Sequence, residues 1–112
     1  GIFINHLDNT AYGIRVNMNG KINALDDNNG SSGVGIYVNG NIKNISNSPI
    51  ISLGDTAQIT STGMGIYSAG YASYSINGAS ITGVEAGLGI KSGSFNILDE
   101  KIKLQLLVIT TV

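Results

Sequence analysis

The chain has 112 residues, 12% of them charged, and a formal net charge of −1. This length fits a single domain, and the low, balanced charge leaves no basic surface that would neutralise nucleic-acid phosphates. Cysteine is absent, which excludes a disulfide framework and thiolate metal sites.

Two short sequence elements recur along the chain. The first is Gly-Ile, found at Gly1-Ile2, Gly13-Ile14, Gly35-Ile36, Gly65-Ile66 and Gly89-Ile90, with Ile50-Ile51 midway in the longest gap. The second is Asn-Gly-x-Ile or a variant, which places isoleucine at Ile22, Ile42, Ile59, Ile81 and Ile102. Because both elements recur at intervals of about 20 residues, they indicate one structural unit repeated along the chain.

The residues between these landmarks favour short strands and turns. The segments Gly35–Val38, Asn41–Ile45 and Ser80–Thr82 are rich in β-branched residues. Asn-Gly pairs that begin at Asn19, Asn39 and Asn77 are interpreted as turns, because glycine tolerates positive φ. No window shows the apolar spacing of an amphipathic helix, so we predict an all-β chain without appreciable α-helix.

Strands this short become stable if each repeat forms one coil and pairs in parallel with its equivalent in the next coil. We therefore predict a right-handed parallel β-helix, a solenoid of about five coils of roughly 20 residues, over residues 1–103, as a fragment of a longer solenoid. One interior column is expected at Ile14, Ile36, Ile51, Ile66 and Ile90, and another at the isoleucines of the second element. An antiparallel sandwich or barrel is the competing fold, although its strands would need no landmark at a regular interval.

The pattern Gly-Ile-x-x-x-Gly-x-Ile, present as Gly35-Ile36-Tyr37-Val38-Asn39-Gly40-Asn41-Ile42 and followed by Asn- and Ser-rich turns, resembles the passenger domains of Gram-negative autotransporters. The resemblance is one of repeat style and covers the chain from Gly1 to about Leu98. It implies a secreted or bacterial cell-surface location, on the extracellular side of the outer membrane. Such passengers are secreted through a C-terminal membrane β-barrel and act as adhesins, toxins or proteases. This sequence has neither that barrel nor a protease domain, so the resemblance implies a fragment.

The last twelve residues differ in composition from the rest. Glycine and asparagine vanish, and Lys101, Lys103 and Gln105 alternate with apolar residues, as in a half-buried strand. We predict that residues 104–112 form an apolar terminal strand or cap. An artefact that leaves an aggregation-prone edge strand is the alternative.

A candidate binding stripe follows from the position after each Gly-Ile, which should face outward because successive side chains of a strand alternate. That position holds Phe3, Arg15, Tyr37, Tyr67 and Lys91, with Ser52 after Ile51. Such an aromatic and cationic column would suit stacking on sugar rings or contact with another protein. The alternative is that the stacked side chains only stabilise adjacent coils.

A second candidate is the tyrosine cluster Tyr67, Tyr71 and Tyr74, in what we predict to be the longest coil, residues 65–88. Extra residues in a coil would protrude as a loop, and protruding loops on solenoids often carry binding residues. The alternative is that the loop is a tolerated insertion and that its tyrosines have no binding role.

No constellation of catalytic or metal-binding residues stands out. Asp26-Asp27-Asn28-Asn29-Gly30 is the densest carboxylate cluster, but it lacks the closing Glu of a calcium loop and is interpreted as a solvated loop. His6, the only histidine, is interpreted as a turn residue. We therefore expect no catalytic residues, no metal and no cofactor. A carbohydrate-active β-helix, a polysaccharide lyase or hydrolase or a tailspike-like glycan binder, is the alternative. As an enzyme it would need Asp26, Asp27 and Asp55 to meet within about 7 to 10 Å.

The expected function is therefore that of a structural and adhesive module. Its partner would be a protein or glycan on a host or neighbouring cell, not nucleic acid, and the solenoid ends offer a route to self-association. The apolar run Leu104–Val112 is about half of a membrane-spanning helix, so we expect no membrane insertion by this segment.

Overall fold

The computed structural model describes residues 1–6, 13–26, 32–40, 47–98 and 106–108. Within these ranges the chain forms twelve β-strands and no α-helix, and the strands belong to three sheets. Sheet 1 contains β1 (Ile2–His6), β4 (Val34–Gly40), β7 (Met64–Ser68), β10 (Ala86–Ile90) and β12 (Leu106–Val108). Sheet 2 contains β2 (Arg15–Met18), β5 (Ile50–Leu53), β8 (Ser73–Asn77) and β11 (Ser94–Leu98). Sheet 3 contains β3 (Lys21–Ala24), β6 (Gln58–Ser61) and β9 (Ser80–Gly83).

The chain visits the three sheets in a fixed order. It passes from sheet 1 to sheet 2 to sheet 3 and then begins again in sheet 1, so that each strand pairs with the third strand after it wherever that order is complete. Every described pairing is parallel, so the competing antiparallel sandwich or barrel is wrong. Stacked parallel strands that recur in this order fit a β-solenoid.

The interval between equivalent positions is uneven. Along sheet 1, one line of register runs from Ile2 through Ile36, Ile66 and Leu88 to Leu106. The intervals shorten along it from 34 and 30 residues to 22 and 18. A period near 20 residues therefore describes only the later part of the chain.

The core lies between the three sheets and is built from inward isoleucines and leucines. Ile36, Ile66 and Leu88 of sheet 1 are fully buried, and they meet Ile59 and Ile81 of sheet 3, which are equally buried. Burying a side chain of this size stabilises the fold by about 1.5 to 3 kcal/mol. Because neighbouring strands supply the contacts, each coil depends on the coils beside it.

One of the two predicted interior columns is confirmed in part. Ile22, Ile59 and Ile81 lie in register on β3, β6 and β9. Ile42 and Ile102 lie outside the described residues. Because Ile22 pairs directly with Ile59, the column leaves no position between them for Ile42, which the prediction placed there.

The other predicted column is wrong. Ile36 and Ile66 are in register, but Ile51 lies in sheet 2, opposite Val16 and Tyr74. Ile90 pairs with Ser68, and the position opposite Ile66 is taken by Leu88. Gly-Ile pairs occur at more than one bend of the coil, so the dipeptide alone does not fix the register.

A column of glycines explains why Gly-Ile recurs at the start of sheet 1. Gly1, Gly35, Gly65 and Gly87 stack at the bend from sheet 3 into sheet 1, so that a β-carbon on any of the first three would collide with the backbone carbonyl of the next glycine. A β-carbon on Gly65 would also lie 2.6 Å from Cγ2 of Ile81. The isoleucines of sheet 3 therefore pack directly against bare backbone.

At two of the three Asn-Gly pairs predicted to be turns the glycine has a positive φ, but Asn39 and Gly40 are the last two residues of β4, so only Gly78 lies between strands. Gly40 and Gly78 have φ values of 136° and 82°, a region that favours glycine. Gly78 lies in the two-residue connection between β8 and β9, where this conformation turns the chain from sheet 2 into sheet 3.

The C-terminal segment contributes to sheet 1. The backbone of Leu106–Val108 pairs in parallel with β10, with Leu106 opposite Leu88. The predicted boundary between residues 103 and 104 stays a prediction.

Candidate binding surface

Three aromatic side chains form a ladder on the outer face of sheet 1. Phe3, Tyr37 and Tyr67 occupy equivalent positions of β1, β4 and β7. Their ring centroids are 5.4 Å apart between Phe3 and Tyr37 and 5.3 Å apart between Tyr37 and Tyr67. Adjacent rings are nearly perpendicular, at 80° and 84°, which is the favourable edge-to-face arrangement. We call these three residues the aromatic ladder.

The strand pattern explains why the ladder faces outward. In β4, Tyr37 is flanked by Ile36 and Val38, which are fully buried, so the side chain between them points to the other face. Each ring pair contributes about 0.5 to 1.5 kcal/mol beyond the burial of area. The ladder therefore stabilises the stacking of strands as well as forming a surface. Its outermost member, Phe3, is 67% exposed.

The ladder stops at β10. The residue opposite Tyr67 on that strand is Gly89, which has no side chain to continue the row. A β-carbon on Gly89 would collide with the Met64 sulfur and lie 3.5 Å from a Tyr67 ring carbon. The Met64 side chain thus occupies the space where a fourth ladder residue would stand.

An asparagine pair runs beside the ladder. Asn5 and Asn39 are in register two residues after Phe3 and Tyr37, and both are exposed. Phe3, Tyr37 and Asn39 line an open depression of about 390 Å³. This surface offers aromatic faces and, at one side, amide groups that both donate and accept hydrogen bonds.

The cationic half of the predicted stripe lies elsewhere. Arg15 is the first residue of β2 in sheet 2, opposite Ile50, and Ser52 is also in sheet 2. Lys91 follows β10, where its backbone N–H donates a hydrogen bond to the Ser68 carbonyl, and it lies two residues beyond Gly89. The prediction of one mixed column is therefore wrong, and the column that the structure describes is aromatic. The cause is the uneven spacing of the coils, which puts equal dipeptides on different sheets.

The predicted protruding tyrosine loop is also wrong. The interval from Ile66 to Leu88 is shorter than the two before it, and only four residues connect β7 to β8. Tyr71 lies in this connection and is half-buried. Tyr74 is 3% exposed, and its ring stacks on that of Phe95 with centroids 4.0 Å apart and an interplanar angle of 9°. Tyr74 alternates in phase with Ile76, which is the sequence signal that indicates its inward direction.

The Tyr74 hydroxyl is buried without a hydrogen-bond partner among the described residues. Burial raises the pKa of this phenol well above its usual value, because the anion loses its hydration. The nearby Ser68 hydroxyl opposes this effect in part, although its geometry does not make a hydrogen bond to the phenol. The single Ser68 proton instead has two carbonyl acceptors within reach, Ser92 at 2.7 Å and Gly70 at 2.9 Å.

The described carboxylates do not converge. β3 pairs with β6 from Lys21 opposite Gln58 to Ala24 opposite Ser61, so Asp55 precedes this pair and Asp26 follows it. The length of the intervening strand separates them by about 10 Å or more. Asp27 and the residues 28–30 lie outside the described part of the chain. Within the described ranges, no three His, Cys, Asp or Glu residues are grouped as a metal site would require.

His6 is the last residue of β1, and its backbone lies opposite Gly40. The prediction that it is a turn residue is therefore wrong.

Comparison with known proteins gives no match to a family model, to a curated protein or to a solved structure. No helix in the described ranges is long and apolar enough to cross a membrane. The function is therefore argued from the surface itself.

Proposed function

We propose that this chain is a non-catalytic β-helical binding module that presents the aromatic ladder to a protein or glycan on another cell surface. In this proposal it is part of a secreted or surface-exposed bacterial protein of the autotransporter passenger type. The observation that carries the proposal is the aromatic ladder. Three aromatic residues in register on one outer face form a continuous apolar patch, whereas apolar residues scattered singly over a surface do not.

The proposal includes a right-handed solenoid of about five coils. Support comes from the five parallel strands of sheet 1, each of which begins or continues one coil. Parallel strands of one sheet that are joined by a crossover connection are right-handed in about 98% of cases. A rigid stack of this kind holds the ladder in one geometry, so little conformational entropy is lost when a partner binds.

The sequence pattern supports the location. Gly-Ile-x-x-x-Gly-x-Ile, which resembles the repeats of autotransporter passengers, coincides at Gly35 with the glycine bend and at Tyr37 with the ladder. The absence of cysteine is compatible with an extracellular setting but does not require one. Self-association through the solenoid ends remains part of the proposal.

Adherence to cultured epithelial cells tests the proposal. Fluorescently labelled wild-type protein is compared with the double variant Tyr37→Ser/Tyr67→Ser and with Tyr71→Ser, which removes a half-buried tyrosine outside the ladder. We expect saturable binding of wild type and Tyr71→Ser, and a loss of about tenfold or more in the double variant. Equal binding of all three proteins, or none by the wild type, would refute the proposed surface.

A further inference from the structure

The depression beside Tyr37 combines aromatic rings with an amide group, so one ligand would have to contact both. The depression is lined by the exposed ring of Phe3, the half-buried ring of Tyr37 and the exposed side chain of Asn39. Asn5 extends the amide side along the neighbouring strand. The ligand must therefore present an apolar face and hydrogen-bonding groups on the same small unit.

The spacing of the ladder adds a second requirement. The rings repeat at 5.4 and 5.3 Å, because they are carried by adjacent strands of one parallel sheet. A ligand that follows the ladder runs across the strands and meets an aromatic ring at each step. An extended polymer whose units are each about as long as one sugar ring satisfies this repeat.

The charges of the described residues add a third requirement. Charged side chains among these residues lie in sheets 2 and 3, at their ends, at the bend before β10 or after β10: Arg15, Lys21, Asp26, Asp55, Glu85 and Lys91. Phe3, Tyr37 and Asn39, which line the depression, are all uncharged. An anionic or cationic ligand would lose hydration there without gaining an ion pair from these residues.

We propose that the aromatic ladder and its asparagine pair form a binding site for a neutral, extended oligosaccharide. The C–H face of a sugar ring packs on the face of one ladder ring, while the next ring, which is nearly perpendicular to it, presents its edge. The ring hydroxyls exchange hydrogen bonds with the amide of Asn39. This inference rests on the proposed function and specifies its ligand. A protein ligand on the same ladder is the outcome that the experiment below separates from it.

The test is a titration of the 112-residue chain with three neutral hexasaccharides, cellohexaose, chitohexaose and mannohexaose, and with an anionic heparin hexasaccharide. Binding is measured by calorimetry and by saturation-transfer NMR. We expect at least one neutral hexasaccharide to bind with a Kd of about 0.1 to 1 mM. Its affinity should be unchanged between about 0.05 and 0.5 M NaCl, because the described residues that line the depression carry no charge.

Single variants locate the site. Tyr37→Ser and Asn39→Ala should each weaken binding by about tenfold, Tyr37→Phe should retain it, and Tyr71→Ser should leave it unchanged. Circular dichroism melting of each variant shows whether it is folded. Asn39→Ala is the decisive change, because it removes an exposed amide and leaves the rings in place.

Two results would overturn the inference. In the first, the heparin hexasaccharide binds and the neutral hexasaccharides do not. In the second, no hexasaccharide binds although cell adherence still requires Tyr37 and Tyr67. The second result would leave the proposed binding surface standing with a protein as its ligand, whereas loss of ladder-dependent adherence would remove the proposed function itself.

Discussion

Gly65 and Ile81 lie so close that a β-carbon on the glycine would be 2.6 Å from Cγ2 of the isoleucine. A second obstacle is the Gly87 carbonyl oxygen, 2.7 Å from the same point. One neighbour is a buried core side chain and the other is backbone, so neither can move without disturbing adjacent strands. The bend from sheet 3 into sheet 1 thus depends on the absence of a side chain.

Gly65→Ala should therefore destabilise the protein by about 1 to 3 kcal/mol, the usual cost of overpacking a core. Gly20→Ala is the matched control, because a β-carbon there has no described atom within 4 Å. The control should change the free energy of unfolding by about 0.5 kcal/mol or less. Urea denaturation measures both, and equal effects of the two changes would contradict the glycine bend.

Tyr74→Phe should leave stability unchanged or raise it. The hydroxyl is buried without a partner, so removing it also removes the cost of its lost hydration, and the ring can keep its stack on Phe95. Tyr74→Ala should in contrast cost about 3 to 5 kcal/mol, because it leaves a cavity in the core. A destabilisation by Tyr74→Phe as large as that of Tyr74→Ala would show that the hydroxyl has a partner.

The same residue gives the protein a dependence on alkaline pH. Because burial raises the pKa of Tyr74 in the folded state, the unfolded state loses this proton first. The stability linked to this raised pKa is fully present below the unfolded-state pKa of about 10. It is lost progressively as the pH rises from there towards the higher pKa of the folded state. The free energy of unfolding should therefore fall less steeply above about pH 10 in Tyr74→Phe than in the wild type. Identical slopes would contradict the burial of an ionisable phenol.

The edge-to-face pair of Tyr37 and Tyr67 predicts a measurable coupling. In a double-mutant cycle with serine at each position, the coupling energy should be about 0.5 to 1.5 kcal/mol. Tyr37 and Tyr71 provide the control cycle, which should show no coupling, because no ring contact joins them. Additive effects for the ladder pair would mean that the rings do not interact in solution.

Local patterns predicted much of this molecule. The alternation around Ile36 and Ile66, with Tyr37 and Tyr67 after them, correctly placed two aromatic residues in register on the outer face. Three isoleucines of the second repeat element, Ile22, Ile59 and Ile81, marked the interior of sheet 3 for the same reason. In both cases a strand's two-residue period turns sequence order directly into direction.

What the patterns missed depends on contacts distant in sequence. Gly13-Ile14 and Gly89-Ile90 have the same sequence as Gly35-Ile36. Only the packing of the glycine bend against sheet 3 shows which glycines occupy equivalent positions in successive coils. Arg15 was therefore assigned to the wrong sheet. Tyr74 was expected in a protruding loop because residues 65–88 were predicted to form the longest coil, although its alternation in phase with Ile76 indicates an inward direction.

The central claim is that the aromatic ladder contacts the ligand. The most direct measurement is an NMR titration that follows the tyrosine ring signals while glycopeptides released from epithelial cell surfaces by trypsin are added. Tyr37 and Tyr67 should shift or broaden, whereas Tyr71 and the buried Tyr74 should stay unchanged. Equal changes at these four of the five tyrosines, or changes confined to Tyr71, would contradict the account.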